Sequence, residues 1–274
     1  MKKINFTKMV GAGNDFIIID FPKKGIDVKK LTIRMCDRTN GVGADGLLIL
    51  DKSKKADYMM RIINADGSEA EMCGNGARCM ATYIVKNYNP DKKIFSMETL
   101  AGIIMAQAKE ETAQVTLSDP KNYLSDIPLT INNATINVSY IDTGVPHAIV
   151  YIQGLDKINV HNIGRTIRYH QRFQPRGTNV NFVEILGRDI VDCRTYERGV
   201  EDETKACGTG SVAAAIVTYL RQNPEEKNKK KAKMKVKTKS GETLEVYFDM
   251  TDQHIHHVQL KGSAKFIARG EYYT

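Results

Sequence analysis

The chain has 274 residues, 42% of them hydrophobic and 26% charged, with a formal net charge of +8. That balance supplies a sizeable core and excludes a disordered protein, and the length allows two ordinary domains or one large one. No apolar run approaches a membrane span or a secretory h-region, so a cytoplasmic protein with no membrane contact is expected.

In chain order, the first strand-like run is FIIID at 16–20, followed by a helix predicted over 28–37 and strands at GLLIL (46–50) and YMMRII (58–63). A second helix is predicted over 75–87, where Ala77, Met80, Ala81 and Ile84 recur at i, i+3, i+4 and i+7. The runs IFSMET, IIMAQA and AQVTLS then carry the chain to SDPKNYLSDIP, 118–128, which reads as a linker around Pro120. Beyond it come ATINVSY, AIVYI, a helix around 161–170, NVNFVEIL, IVDCRTY and a helix over 209–221 with Val212, Ile216 and Leu220 on one face. Each helix is expected to bury one face.

From Lys231 to Lys239 lysine alternates with Ala232, Met234, Val236 and Thr238, the period of a strand with one wet face. A charged sheet edge fits that pattern. Nothing aromatic interleaves with these lysines, which hold much of the positive charge, so nucleic acid is not expected as a partner. The runs LEVYFD and HHVQLKG complete the strands.

The two halves resemble each other. EAEMCGNG at 69–76 answers ETKACGTG at 203–210, both reading Glu-x-x-x-Cys-Gly-x-Gly and both leading into a helix of small and apolar residues. Asn64 and Glu197 occupy matching places ahead of Cys73 and Cys207, and GNDFIII at 13–19 has a looser counterpart in VPHAIVY at 145–151. Two similar domains follow, 1–118 and 119–262, with residues 263–274 returning to the first.

Five cysteines form neither an even disulfide framework nor a CxxC pair, and the spacing of Cys73 and Cys79 does not match a zinc site. No metal is expected. Cys36, Cys79 and Cys193 lie within helical or strand patterns and read as packing. Cys73 and Cys207 lie where a helix begins, so unsatisfied N–H groups and a positive dipole end surround them. That placement is expected to lower a thiol pKa, and the glycines beside it let a carboxylate approach the backbone. Two such thiols on opposite sides of one carbon are what a cofactor-free racemase or epimerase needs: one thiolate removes the α-proton and the other thiol supplies one to the opposite face.

NADGSEAEMCGNGAR at 64–78, YERGVEDETKACGTG at 196–210 and KMVGAGNDF near the N-terminus resemble the motifs of the diaminopimelate epimerase family. The resemblance implies an α+β fold of two pseudo-symmetric domains, each a curled, mostly antiparallel, barrel-like sheet around a central helix, with the active site in the interdomain cleft. It implies interconversion of L,L-diaminopimelate and meso-diaminopimelate without pyridoxal phosphate or any other cofactor, by a homodimer, in lysine and peptidoglycan-precursor synthesis. By motif position it makes Cys73 and Cys207 the catalytic pair, with Gly74, Asn75, Gly208 and Thr209 around the reacting carboxylate. Asn14, Asn64, Asn179, Glu197 and Arg198 would contact the distal end, and His147 and Glu197 would modulate the thiols. The chain departs from the family pattern at Val145, where many members carry asparagine, and at Gly46, where some carry glutamine.

Three alternatives stand beside this reading. A proline or hydroxyproline racemase shares the two-thiol logic but needs no distal arginine. A Cys–His hydrolase would use Cys73 and His147 and leave Cys207 without a purpose. A basic RNA-binding module would depend on Lys229, Lys230 and Lys231.

Overall fold

The computed structural model describes residues 3–22, 25–92, 94–131 and 134–274. Met1 and Lys2, with which the N-terminal stretch opens, lie outside the described residues. The chain divides into two compact units, Met1–Thr116 with Lys261–Thr274, and Leu117–Leu260.

The first unit contains β1 (Lys3–Gly11), β2 (Asn14–Asp20), α1 (Val28–Cys36), β3 (Gly46–Asp51), β4 (Tyr58–Asn64) and β5 (Glu69–Ala70). It continues with α2 (Gly74–Asn87), β6 (Phe95–Thr99), β7 (Gly102–Lys109) and β8 (Thr112–Thr116), and takes back β18 (Lys265–Tyr273) from the end of the chain. The second unit contains β9 (Lys121–Ile131), β10 (Ala134–Asp142), β11 (Pro146–Tyr151), α3 (Val160–Arg168), β12 (Asn179–Ile185) and β13 (Ile190–Glu197). After these come β14 (Asp202–Thr204), α4 (Gly208–Gln222), β15 (Lys229–Thr238) and β16 (Thr243–Thr251), and the chain leaves the unit along β17 (His254–Ser263).

The repeat seen in the sequence is a repeat of pairing. In the first unit β18, β1 and β2 run antiparallel in turn, β2 is parallel to β3, β3 antiparallel to β4, β4 parallel to β6, and β6 antiparallel to β7. In the second, β9, β10 and β11 run antiparallel, β11 is parallel to β12, β12 antiparallel to β13, β13 parallel to β15, and β15 antiparallel to β16. A parallel pair needs a crossover connection, and the helices supply it: α1 and α3 at the first such pair of each unit, α2 and α4 at the second. The sheet is curled rather than closed.

The helices α2 and α4 are buried nearly all round, not on one face. Gly74 to Ile84 of α2 are all buried, as are Gly210 to Tyr219 of α4. Glycine, alanine, serine and threonine occupy the positions that a surface helix gives to charged residues, so sheet can approach from every side. Accordingly α2 touches β1, β2, β3, β4, β7 and β8, and α4 touches β10, β11, β12, β13, β15 and β16. Ile84 and Ile216 are completely buried, each worth about 2 kcal/mol of apolar transfer.

Two expectations need correction. The stretch 118–128, expected to be linker, is strand from Lys121 on, the start of β9, which pairs with β10. Its first six residues are exposed, so the strand rests on ladder hydrogen bonds and leaves little apolar alternation to read. The lysine-rich strand β15 has the expected wet face, with Ala232, Met234, Val236 and Thr238 buried, but over Lys235–Thr238 it is not an edge, because β13 pairs with it there on the side away from β16.

Candidate active site

Cys73 and Cys207 are the N-caps of α2 and α4. Both have extended backbone, with φ −144° and −111°, and each Sγ accepts the N–H of the glycine three residues on, Gly76 or Gly210, at 3.4 Å. Serine, threonine, aspartate or asparagine usually fills this position because oxygen caps better than sulfur. A thiol here gives up some helix stability for a reactive atom beside the first-turn N–H groups of Gly74, Asn75, Gly208 and Thr209, which have no acceptor within their own helices.

In the first unit, buried Asn75 joins the α2 turn to β2: its Nδ2 donates to Asn14 Oδ1 at 2.7 Å and its Oδ1 accepts from Arg78 Nη2 at 2.9 Å. Arg78 also donates to the Gly74 carbonyl at 3.2 Å and is fully buried. Asn14 in turn donates to Asp45 at 2.9 Å, and Arg38 binds both Asp45 and Asp15. Burial would raise the Asp15 carboxyl, but hydrogen bonds and charge from Arg38 and Lys8 hold it at about 2. Asn64 stands apart from this network, exposed at the end of β4, where its Nδ2 donates to Ser68 Oγ at 3.0 Å. Opposite it in the ladder, Gly46 accepts no side chain without movement, since a Cβ would lie 2.8 Å from the Ile63 carbonyl oxygen.

In the second unit the thiol joins a line of polar groups, buried except at half-buried Thr209. Cys207 Sγ lies 3.4 Å from Thr209 Oγ1, which lies 3.0 Å from His147 Nε2, and His147 Nδ1 lies 2.8 Å from Asn181 Oδ1. Burial pushes His147 down to about 4, the hydrogen bond to Asn181 and the charge of Asp142 opposing it. Burial likewise pushes the Cys207 thiol up, and the nearby Glu197 carboxylate adds to the effect against the Thr209 and Gly210 hydrogen bonds. A lowered thiol pKa was expected from the helix terminus; desolvation and a neighbouring negative charge reverse that direction. Glu197 is itself pushed up by burial.

Asn179 is buried beside this line, donating to the Pro146 carbonyl at 3.2 Å and accepting the Arg198 N–H at 2.8 Å. It therefore fixes the turn that carries Arg198, whose guanidinium donates to the Arg176 carbonyl at 2.9 Å. Three participants were missed in the sequence: Arg78, Asn181 and Thr195. Cys193, expected only to pack, has its Sγ 3.6 Å from Asn181 Nδ2 and is pushed up to about 11, chiefly by burial. Asn181 was within reach of a pattern argument, because in NVNF it sits two residues after Asn179 and shares its strand face.

A phenazine biosynthesis protein of the PhzF family from Bacillus anthracis is similar in structure, with a TM-score of 0.77, 17% identity and all of both chains covered. A hydroxyproline epimerase from Agrobacterium vitis, solved with bound trans-4-hydroxy-L-proline, gives a TM-score of 0.73 at 15% identity over 98% of this chain and 92% of that one. The fold is therefore that of the class shared by PhzF-type proteins and such amino-acid epimerases. The model of the family described as diaminopimelate epimerase matches residues 6–122 and 139–267, and a diaminopimelate epimerase from Aquifex aeolicus is 38% identical over 97% of each chain. The chain belongs to the diaminopimelate epimerase family.

Proposed function

We propose that this protein interconverts L,L-diaminopimelate and meso-diaminopimelate by two-base proton transfer at the α-carbon, without pyridoxal phosphate or metal. The observation that carries the reading is the pair of cysteine N-caps, one at the head of the buried helix in each of two units with the same pairing order. Membership of the family supports the substrate.

One thiolate removes the α-proton and the other thiol protonates the opposite face, so both must reach the same carbon. The α-proton beside a carboxylate is far less acidic than a thiol. First-turn N–H groups of Gly74, Asn75, Gly208 and Thr209, directed at that carboxylate, would hold the charge that develops on its oxygens. The upward push on Cys207 favours its thiol form, so in the proposed reaction Cys207 would be the proton donor and Cys73 the base.

At the distal end, Arg198 suits a carboxylate through its planar fork and Glu197 suits an ammonium. Asn64 would contact the distal group directly. The amides of Asn14 and Asn179 hold Asn75 and Asp45, and Pro146 and Arg198, and each keeps a further donor and lone pair for the distal group. With Val145 and Gly46 offering no side-chain polar group, distal recognition rests on this reduced set. The two units are read as the two epimerase domains, 1–118 with 263–274, and 119–262. The whole is read as a cytoplasmic homodimer serving lysine and peptidoglycan-precursor synthesis; among the described residues no helix is long and apolar enough to cross a membrane.

A Cys–His hydrolase is disfavoured because both ring nitrogens of His147 are engaged by Asn181 and Thr209 within its own unit. The test is chiral chromatography of diaminopimelate and hydroxyproline after incubation with the wild type, Cys73→Ala and Cys207→Ala. The expected result is meso product from the wild type and a loss of about 10³-fold or more in each variant. Turnover of hydroxyproline alone would transfer the chain to the proline-racemase activity. Full activity in Cys207→Ala would reject the two-base mechanism.

A further inference from the structure

Asn181 is fully buried in β12 and packed among polar groups. Its Nδ2 donates to Thr195 Oγ1 at 2.8 Å and lies 3.6 Å from Cys193 Sγ, while its Oδ1 faces His147 Nδ1 at 2.8 Å. It is also pressed against the start of α4, since a Cβ on Gly210 would stand 2.4 Å from Nδ2. Burying a carboxamide costs about 1–3 kcal/mol unless its hydrogen bonds are made, so an asparagine completely enclosed in a strand invites the question of what its hydrogen bonds accomplish.

We propose that Asn181 is a positioning residue that fixes His147 as the Nδ1–H tautomer and so sets the direction of the hydrogen-bond line ending on Cys207. The inference rests on the proposed function, in which Cys207 is the resting proton donor. With its Nδ1–H donated to Asn181, the imidazole keeps a lone pair on Nε2 and accepts the Thr209 O–H. The Thr209 oxygen then accepts from the Cys207 S–H, and the line holds the proton on sulfur. The opposite rotation of the Asn181 amide would reverse every bond. Nε2–H would then donate to Thr209, and the Thr209 proton would point at sulfur and favour the thiolate.

The charges facing His147 are Asp142 on β10 and Arg198 just beyond β13, opposite in sign, while Glu197 acts on Cys207. The neutral amide is therefore the group in direct contact that distinguishes the two ring nitrogens. No proton leaves the line in this role; the asparagine chooses which way it is oriented.

The tautomer is read directly by long-range 1H–15N NMR of the full chain labelled with 15N-histidine, the His147 signals being assigned by their loss in His147→Gln. The expected wild-type spectrum is a single neutral ring protonated on Nδ1 between pH 6 and 8. A ring protonated on Nε2, or a mixture of the two, would overturn the proposal, and this arm needs no variant at position 181 to fold. In Asn181→Asp a carboxylate would face Nδ1–H, so the His147 titration and the matching limb of the pH–rate profile should move up by about one unit or more. An unmoved titration and profile in folded Asn181→Asp would also overturn it. The spectrum needs no substrate: the expected tautomer in a protein that does not epimerise diaminopimelate would defeat the proposed function and leave the tautomer assignment standing, and the wrong tautomer in an active epimerase would defeat Asn181's role alone.

Discussion

His147 ties stability to pH. Its folded pKa of about 4 lies below the ordinary value of 6.5. The unfolded chain therefore takes up a proton as pH falls through 6.5 while the folded protein does not. The stabilisation is fully present above pH 6.5 and is lost progressively down to about 4, a difference of about 3 kcal/mol. Urea unfolding at pH 7 and pH 4.5 checks this when the wild type is compared with His147→Gln, which shares every other titrating group. The variant should lose clearly less stability on acidification, and equal losses would show that His147 is not held neutral by burial. The two thiols were legible as residues because each stands in a Cys-Gly-x-Gly turn. The direction of the Cys207 shift was not, because its largest cause is burial, with the charge of Glu197 ten positions away second, and only folding creates either.

At the scale of elements, the positions of the helices were readable to within a residue or two, from apolar spacing and from the glycines that open α2 and α4. Their full enclosure was not, because periodicity reports the face with large apolar residues and says nothing about small residues that let sheet approach from the other side. Strand β9 was missed for the complementary reason, being exposed and polar along its first half. The close approach at α4 gives a test. In Gly210→Ala the new methyl group would meet Asn181 Nδ2 at 2.4 Å and Cys207 Cβ at 3.2 Å, so the helix start or the asparagine must move. A loss of about 1–3 kcal/mol in stability is expected from such overpacking, together with a fall in activity. A crystal structure of the variant with the line from Asn181 to Cys207 unmoved, and unchanged thermal stability, would show that the fit is looser than described.

On the scale of the whole molecule, the faint repeat in the sequence and the pairing order in the fold are two views of one arrangement. In the proposed reaction only residues at the helix heads and ladder ends take part, so few residues need to repeat. The remaining positions need only be apolar and of suitable size, so their identities drift while the order of parallel and antiparallel pairing persists. In the proposed reaction the paired cysteine caps exchange the α-proton of diaminopimelate while inverting the centre. It is tested most directly by proton NMR of L,L-diaminopimelate incubated with the reduced, cofactor-free protein in D2O. The α-proton signal should fall as deuterium enters, and the meso isomer should appear with it. An unchanged α-proton signal and no meso isomer, from folded protein whose thiols still titrate, would contradict it.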